Sequence, residues 1–441
     1  MTEYFRLYIV FALLLLICTL CFGIVASWAF LYPETYNNTL PFYQLRPFHV
    51  SSALFWIITG ATASISFYKN EVFQKQIKTK GLENIFLATW IIVILTIFGC
   101  YAFKQFGGRE YWEFPPILCV PLLCIWIIFA LSYFIPMWRS TGSKPLYVWM
   151  WSTGILFFLI TFIEQNLWQI PWFRYSFLRE MTVQWKANGA TVGAWNQMIY
   201  GTALYMMVKI SGDESIAKSK QAFFFYFLGL SNLMFNWGHH IYNVPGAAWI
   251  RNVSYVISMT EVLFLLNIIR GFKKKLVERE KLRHLIPYRF LIAAEFWVFA
   301  NLFVVLLISI PAVNRYTHGT HITVAHSMIA TIGINTMILL GSFAYILNVD
   351  EQNEKIKKRI QIGYWIGQWS LGLLGTSLLI AGTIKGYRET YLKMTSFQEI
   401  MHPAMPFLKL FSFSGIGLLV GLGLIAFSFI YCTCSQKRNM D

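Results

Sequence analysis

The sequence predicts an all-α fold, a polytopic membrane bundle of about twelve transmembrane helices forming one domain over residues 1–441. Composition is the first reason, because 57% of the 441 residues are hydrophobic and only 13% are charged. That balance is typical of chains that lie largely within a bilayer. The second reason is that apolar runs of about 20 residues, long enough to cross the hydrocarbon core, recur about twelve times.

The basic residues predict the orientation of these spans. Clusters of lysine and arginine follow the even-numbered spans, for example at 69–80 and 270–283. Because basic loops stay on the cytoplasmic side, these loops and both termini are predicted to be cytoplasmic. The formal net charge of +16 therefore mainly reflects membrane topology and does not indicate nucleic-acid binding. The spans are placed near 6–31, 50–69, 85–104, 117–136, 147–166, 187–210, 221–240, 246–270, 288–311, 320–348, 363–384 and 408–432.

Histidines are rare in the chain, and most fall on the outward side of this topology. Only His284 is cytoplasmic; the outward ones are His49, His239, His240, His318, His321, His326 and His402. Scattered interfacial histidines are common singly. Several at similar membrane depth, on the second, seventh and tenth spans, are more typical of a metal or haem site between helices.

The tenth span carries two candidate haem ligands close together. His326 and Met328 are two residues apart, so their side chains point about 200° from each other on a helix. Imidazole and thioether both bind haem iron. One helix can therefore serve two haems on opposite faces, although a methionine in a membrane helix is more often a packing residue.

Five segments carry a resemblance to a known family. They are RPFHVSSALFW at 46–56, GREYWEFP at 108–115, MMVKISG at 206–212, WGHHIY at 237–242 followed by Pro245, and NRYTHGTHITVAH at 314–326. With these segments in this order over nearly its whole length, the chain resembles the large (cytochrome b) chain of bacterial nitric oxide reductase. Those reductases form a branch of the haem-copper oxidase superfamily, whose subunit I fold the resemblance implies.

The resemblance implies a set of cofactors and ligands. They are a low-spin haem b on His49, a high-spin haem b on His326, and a second metal, iron or copper, on His239 and His240. Arg109 and Glu110 match a segment that in this family binds calcium and approaches haem propionates. Glu261 matches a glutamate near the second metal, or is a carboxyl hydrogen-bonded within the bundle.

The chain departs from the family's pattern around the second metal. Asn188 stands where the family has a third histidine ligand, and Val192 and Asn196 stand where it has glutamates. Asparagine is a weak ligand and valine is none. The second site therefore holds copper, holds iron loosely, or is empty, and the loss of carboxylates makes proton-coupled chemistry there harder.

The tenth span also departs from the family, which has His-Gly-His where this chain has His326-Ser327-Met328. The resemblance then implies His49 and Met328 as the axial ligands of the low-spin haem, with a higher reduction potential than two histidines would give. The alternative is that this haem is five-coordinate or absent.

Three functions remain open. The first is reduction of nitric oxide to nitrous oxide, with electrons from a cytochrome c-type or other donor subunit. The second is dismutation of nitric oxide to dinitrogen and dioxygen, because dismutases resembling these reductases replace the same histidine by asparagine. The third is a non-catalytic, haem-binding electron-transfer paralogue. All three place the chain in the lipid bilayer of the bacterial inner membrane.

Overall fold

The computed structural model describes residues 2–36, 39–73, 79–260 and 284–438, and these ranges are helical throughout apart from short connections. We number the long helices in chain order. They are α1 Glu3–Leu31, α2 Phe42–Val72, α3 Lys80–Ala102, α4 Cys119–Arg139, α5 Leu146–Gln165, α6 Phe177–Ser211, α7 Lys220–Phe235, α8 from 248 to 260 where the description stops, α9 Leu285–Ser309, α10 His321–Ile346, α11 Glu354–Gly386 and α12 Met405–Arg438.

The predicted all-α membrane fold is confirmed, and a described helix lies at each of the twelve predicted places. By length and composition, 8 of the described helical segments are apolar enough to cross a membrane. The helices α6, α7 and α11 and the described part of α8 are not among them. In α6 and α11 glycine, threonine, serine and amide side chains lie within the apolar run itself and lower its mean hydropathy. Both helices also begin with polar and charged residues that precede the apolar run. The helices are thus longer than the apolar runs that predicted them.

The chain divides into two compact units. The first comprises Met1–Ala12 and Leu54–Tyr288, and the second comprises Leu13–Ala53 and Arg289–Asp441. The single domain expected from the sequence stays a prediction. In the first unit α5 packs along α6, and in the second α11 packs along α12.

A close approach of backbones holds α11 against α12. An ideal Cβ on Gly421 would lie 2.5 Å from the amide nitrogen of Gly367 and 2.8 Å from the carbonyl oxygen of Gly363. Small residues of this kind let helix backbones pack closely in membranes.

We expect Gly421→Ala to lower the melting temperature of the detergent-solubilised protein, with a loss of about 1–3 kcal/mol from overpacking against backbone atoms. Gly423→Ala is the matched control, because a Cβ there would meet nothing within 4 Å and alanine is the better helix former. Equal melting temperatures for the two variants would contradict a tight crossing.

A buried ion pair joins α2 to α3 in the first unit. Lys69 Nζ lies 2.8 Å from Glu83 Oε1, and their side chains are only 1% and 7% exposed. The Lys69 ammonium also donates to the backbone oxygen of Ser132 at 2.7 Å. Thr79 donates to Glu83 at 3.0 Å. Each charge is therefore both paired and hydrogen-bonded, which is what allows it to be buried.

Candidate haem and metal sites

In the second unit, His49 is held by α1. Its Nδ1 lies 2.9 Å from the backbone oxygen of Thr19. A carbonyl only accepts, so Nδ1 carries the proton and Nε2 keeps its lone pair. The imidazole lies so close to α1 that an ideal Cβ on Gly23 would be 2.8 Å from its ring atoms. Glycine at that position makes room for an imidazole whose Nε2 is ready to bind a metal.

His326 is oriented in a similar way by α9. Its Nδ1 lies 3.0 Å from Oδ1 of Asn301, and the asparagine is only 6% exposed. With an oxygen as partner, Nδ1 carries the proton and Nε2 is again the atom with the lone pair. Metal-binding histidines usually have such a partner on the other ring nitrogen, because it sets the tautomer and the ring orientation.

Met328 ends the regular part of α10 that carries His326. Ser327 between them is exposed, while His326 and Met328 are half-buried. Immediately after Met328 the helix widens into a π-helical segment, Ile329–Thr336. There Gly333 lies against Trp297, where an ideal Cβ would be 2.5 Å from the indole. Such π segments occur often at functional sites, and nothing in the periodicity of the sequence predicted this one.

In the first unit, His239 and His240 lie in the 3₁₀ segment Asn236–Ile241 that follows α7. Their ring centroids are only 4.1 Å apart, although successive residues on a helix point about 100° apart. Trp185 of α6 stacks on His240, with the rings 5.1 Å apart and 11° from parallel. His239 is buried, at 7% exposure. The two imidazoles therefore converge, as two ligands of one metal must.

One face of α6 packs on this histidine segment. Trp185, Asn188, Gly189 and Val192 recur at the spacing of one helix face. An ideal Cβ on Gly189 would lie 2.7 Å from Cβ of Trp237, two residues before His239. Trp185 and Gly189 are the residues of this face shown against the histidine segment, and the role of Asn188 and Val192 as the altered third-ligand and glutamate positions stays a prediction.

Asn188 is tied to a hydrogen-bonded chain that the sequence did not reveal. Gln165 Nε2 donates to Asn188 Oδ1 at 2.6 Å. The indole nitrogen of Trp112 donates to Gln165 Oε1 at 2.5 Å. Trp112 belongs to the GREYWEFP segment, so that segment is linked to Asn188 of α6 through Gln165. Asn196 is half-buried, and its Oδ1 has no hydrogen-bond partner among the described residues.

The side chains of Arg109 and Glu110 lie in different surroundings. Arg109 donates to Glu180 of α6 at 2.6 Å and lies 4.1 Å over the ring of Trp168. Glu110 is exposed. Within the described ranges no group of three or more His, Cys, Asp or Glu side chains is arranged to hold a metal. Calcium binding by Glu110 stays a prediction, and Glu261 lies outside the described residues.

The other outward histidines do not join a cluster within the described ranges. His318 lies in the turn before α10, where burial lowers the pKa of its imidazole below 6.5. The ring of His321 lies 6.3 Å from that of Phe30, and His402 is exposed.

The candidate ligands fit the two predicted haems better than they fit the predicted second metal. His49 and His326 offer oriented imidazoles for two haems. His239 and His240 offer two nitrogen ligands for a second metal. A third His, Cys, Asp or Glu ligand is lacking among the described residues. Asn301, Gln165 and Trp185 were missed by sequence reasoning; for Asn301 a signal existed, because a lone amide within an apolar span is a functional candidate by itself.

Comparison with known proteins identifies the family of the chain. The family model for cytochrome c and quinol oxidase polypeptide I matches residues 3–417. The chain is 22% identical to the B chain of nitric oxide reductase from Stutzerimonas stutzeri, covering 96% of this chain and 93% of that protein. It is 19% identical to cytochrome c oxidase subunit 1 of Rhodobacter capsulatus, covering 92% and 80%.

The fold matches a solved structure as well. The structure of a haem-copper terminal oxidase dimer superposes with a TM-score of 0.74 at 12% identity, covering 98% of this chain and 84% of that one. Members of this family are multi-pass membrane oxidoreductases that bind haems and a second metal. Because the family model spans nearly the whole chain, this protein belongs to the haem-copper oxidase subunit I family.

Proposed function

We propose that this protein converts nitric oxide, and that its reaction is reduction of two molecules to nitrous oxide. The balanced reaction takes two nitric oxide molecules, two electrons and two protons, and yields one nitrous oxide and one water. The similarity to the nitric oxide reductase of Stutzerimonas stutzeri, over nearly the full length of both chains, supports this choice. The similarity to cytochrome c oxidase subunit 1 covers less of that protein.

The observation that carries the proposal is that two histidines are hydrogen-bonded through Nδ1. His49 and His326 each bind an oxygen acceptor through Nδ1, which leaves Nε2 for iron. In the proposal, His326 would hold a high-spin haem b, and His49 and Met328 would hold a low-spin haem b that would supply electrons. His239 and His240 hold the second metal, iron or copper, and Asn188 occupies the third ligand position.

The haem irons and the second metal, when bound, supply the electrons and the Lewis acidity that coupling of nitric oxide needs. The chain's own part is to position ligands and to control protons. Trp185 fixes the ring of His240 by stacking. Asn188 and Val192 cannot exchange a proton near neutral pH, so this face of α6 delivers none. Glu261 is the acid that the sequence proposes nearby.

Dismutation to dinitrogen and dioxygen is the second candidate, and one specific observation favours it. The two positions of α6 at which the resemblance implies a histidine and a glutamate carry Asn188 and Val192, and neither of these side chains is protonatable. Dismutation consumes no external electrons or protons, so it does not need protonatable side chains at these positions. A haem protein that only transfers electrons remains the non-catalytic alternative.

The proposal extends to partners and location. We place the chain in the bacterial inner membrane with both termini cytoplasmic, because the basic loops follow the even-numbered spans. Electrons would come from a cytochrome c-type or other donor subunit, and both relatives are named as single subunits of their enzymes. Calcium at Glu110 remains part of the proposal.

Isotopically labelled nitric oxide tests the reaction directly. The purified protein is incubated anaerobically with labelled nitric oxide, with and without an electron donor, and the gases are followed by mass spectrometry. We expect labelled nitrous oxide only when donor is present. Dioxygen and labelled dinitrogen without donor would establish dismutation instead, and neither product would identify an electron-transfer protein.

Restoring the lost ligands is expected to raise reductase activity. The double variant Asn188→His with Val192→Glu adds one imidazole and one carboxylate at the two positions where the resemblance implies them, and should increase nitrous oxide production by about tenfold or more. Asn188→Gln with Val192→Leu is the matched control, because it changes size at the same positions without adding a ligand. A double variant no faster than this control would show that these positions do not limit the reaction.

A further inference from the structure

One face of α11 is exposed from the start of the helix onward, and its polarity changes along the axis. It begins with basic side chains and continues with large apolar ones at steps of three or four residues, which keeps them on one face of a helix. The members are all exposed, and they are Lys355, Lys358, Arg359, Ile362, Trp365, Trp369 and Leu373. The opposite face packs on α12, where an ideal Cβ on Gly363 would lie 2.6 Å from the carbonyl oxygen of Gly421.

The basic end of this exposed face carries more positive charge than neighbouring side chains neutralise. The first six residues of α11 include four cations and a single carboxylate. That carboxylate, Glu354, pairs with Lys357 at 2.5 Å. Lys355, Lys358 and Arg359 have no ion-pair partner among the described residues. Three exposed cations are thus left without a counter-charge from the chain.

The position of these cations on the helix increases the need for an anion. Lys355 is three residues from Lys358 and four from Arg359, and like charges at these spacings repel each other on a helix surface. All three lie in the first two turns of α11, where the helix dipole is itself positive and favours negative charge. An anion at this point would relieve both effects.

Two indoles extend the exposed face into the predicted span 363–384. Trp365 is 53% exposed and Trp369 is 72% exposed. Neither indole N–H has an acceptor in the described part of the chain. Trp365 follows Arg359 by six residues, or about 9 Å along the axis, which takes it from the head-group level to the edge of the hydrocarbon core. An apolar ring with one polar donor is favoured at that boundary.

We propose that this exposed face of α11 binds a phospholipid with an anionic head group. The phosphate would lie among the three unpaired cations, the N–H of Trp365 would donate to an ester oxygen, and an acyl chain would lie along Trp369 and Leu373. A lipid combines a negative head with an apolar tail, as this face requires, whereas free phosphate would leave the indoles uncovered. The inference is independent of the proposed function, because no haem or metal ligand takes part in it.

Two lipids with identical acyl chains test the proposal in the full-length, delipidated protein. Native mass spectrometry gives the dissociation constants of phosphatidylglycerol, which is anionic, and of phosphatidylcholine, which has no net charge. We expect phosphatidylglycerol to bind about tenfold more tightly or better. In the triple variant Lys355→Gln, Lys358→Gln and Arg359→Gln this preference should disappear, because each cation near the head group contributes about fivefold. Binding of phosphatidylcholine should be unchanged.

The indoles are tested separately from the charges. Trp365→Leu combined with Trp369→Leu keeps an apolar face but removes both donors and both rings, so it should weaken the two lipids by the same factor, about threefold or more. Trp138→Leu is the matched control, because Trp138 is also 72% exposed and lies at the end of another membrane helix, α4. Both dissociation constants should stay the same in it.

Lys80→Gln is the control for the charges. Lys80 is exposed at the start of α3, and the exposed residues that follow it, such as Ile85 and Ile92, are aliphatic. The proposal is overturned if the unaltered protein binds both lipids equally, or if the triple variant binds phosphatidylglycerol as tightly as Lys80→Gln does. Circular dichroism verifies that each variant keeps its helix content.

Two other occupants of the exposed face have their own signatures in the same experiment. Release of phosphatidylglycerol by millimolar inorganic phosphate would mean that the cations recognise phosphate without a lipid. A dimer in the mass spectrum that becomes a monomer in the double indole variant would mean that a second copy of the chain covers this face. Either result would overturn the proposal.

Discussion

Replacing His326 with alanine is expected to remove about half of the haem from the purified protein and to abolish nitric oxide conversion. The imidazole is oriented by Asn301 through Nδ1 at 3.0 Å, so Nε2 keeps the lone pair with which we expect it to bind iron. Alanine offers no replacement ligand. Haem content is measured by pyridine haemochrome assay, and the high-spin component by the change that carbon monoxide causes in the reduced spectrum.

Asn301→Leu tests the hydrogen bond to His326 without removing the imidazole. This variant keeps the imidazole but removes the acceptor for its Nδ1–H, so haem should stay bound while activity falls by about 10- to 100-fold. The iron–histidine stretching frequency should shift, because the hydrogen bond makes the imidazole more basic. Full haem content and an unchanged high-spin spectrum in His326→Ala would show that His326 is not the proximal ligand.

Lys69→Met is expected to have the largest effect on stability, with a loss of about 3–5 kcal/mol. The variant leaves the Glu83 carboxylate buried at 7% exposure without its counter-charge. Ser132 also loses the ammonium that donates to its backbone oxygen. Thermal unfolding of the solubilised protein should therefore begin well below that of the unaltered chain.

Two further variants show whether Lys69→Met lowers stability because Glu83 loses its counter-charge or because the side chain at position 69 changes in size. Lys69→Met combined with Glu83→Gln removes both charges, and should recover most of the lost stability, since a neutral amide is far less costly to bury. Lys218→Met removes the partner of Glu214 in an exposed pair and should cause no measurable change. A double variant as unstable as Lys69→Met would mean that packing of the lysine stem, and not the charge, stabilises α2.

Much of the fold was accessible from the sequence because the signal for a membrane helix is local. An apolar run predicts a span from its own residues, so each of the twelve described long helices overlaps its predicted place. The residues at which the helices begin and end were harder to predict from the sequence. For α6, the helix begins at Phe177, about ten residues before the predicted span, because polar residues continue the same hydrogen-bonded helix outside the apolar core.

The candidate ligands were also predictable, since imidazoles are rare in membrane spans and their chemistry is known. Their partners were not. Thr19 contributes a backbone oxygen, which no side-chain pattern can reveal. Gln165 and Trp112 are common polar and aromatic residues at a helix end and in a loop, and only their positions relative to Asn188 make them informative.

The sequence by itself determined the helical membrane architecture, and it predicts the outward placement of the histidines and the replacement of two family side chains by Asn188 and Val192. Tertiary structure alone decided the protonation of His49 and His326 and the direction in which the Asn188 amide points. The physical reason is that a tautomer or an amide orientation depends on the atom it faces, and here that atom lies 23 to 30 residues away along the chain. Residue type determines which bonds a side chain can make, and packing determines which of them it makes.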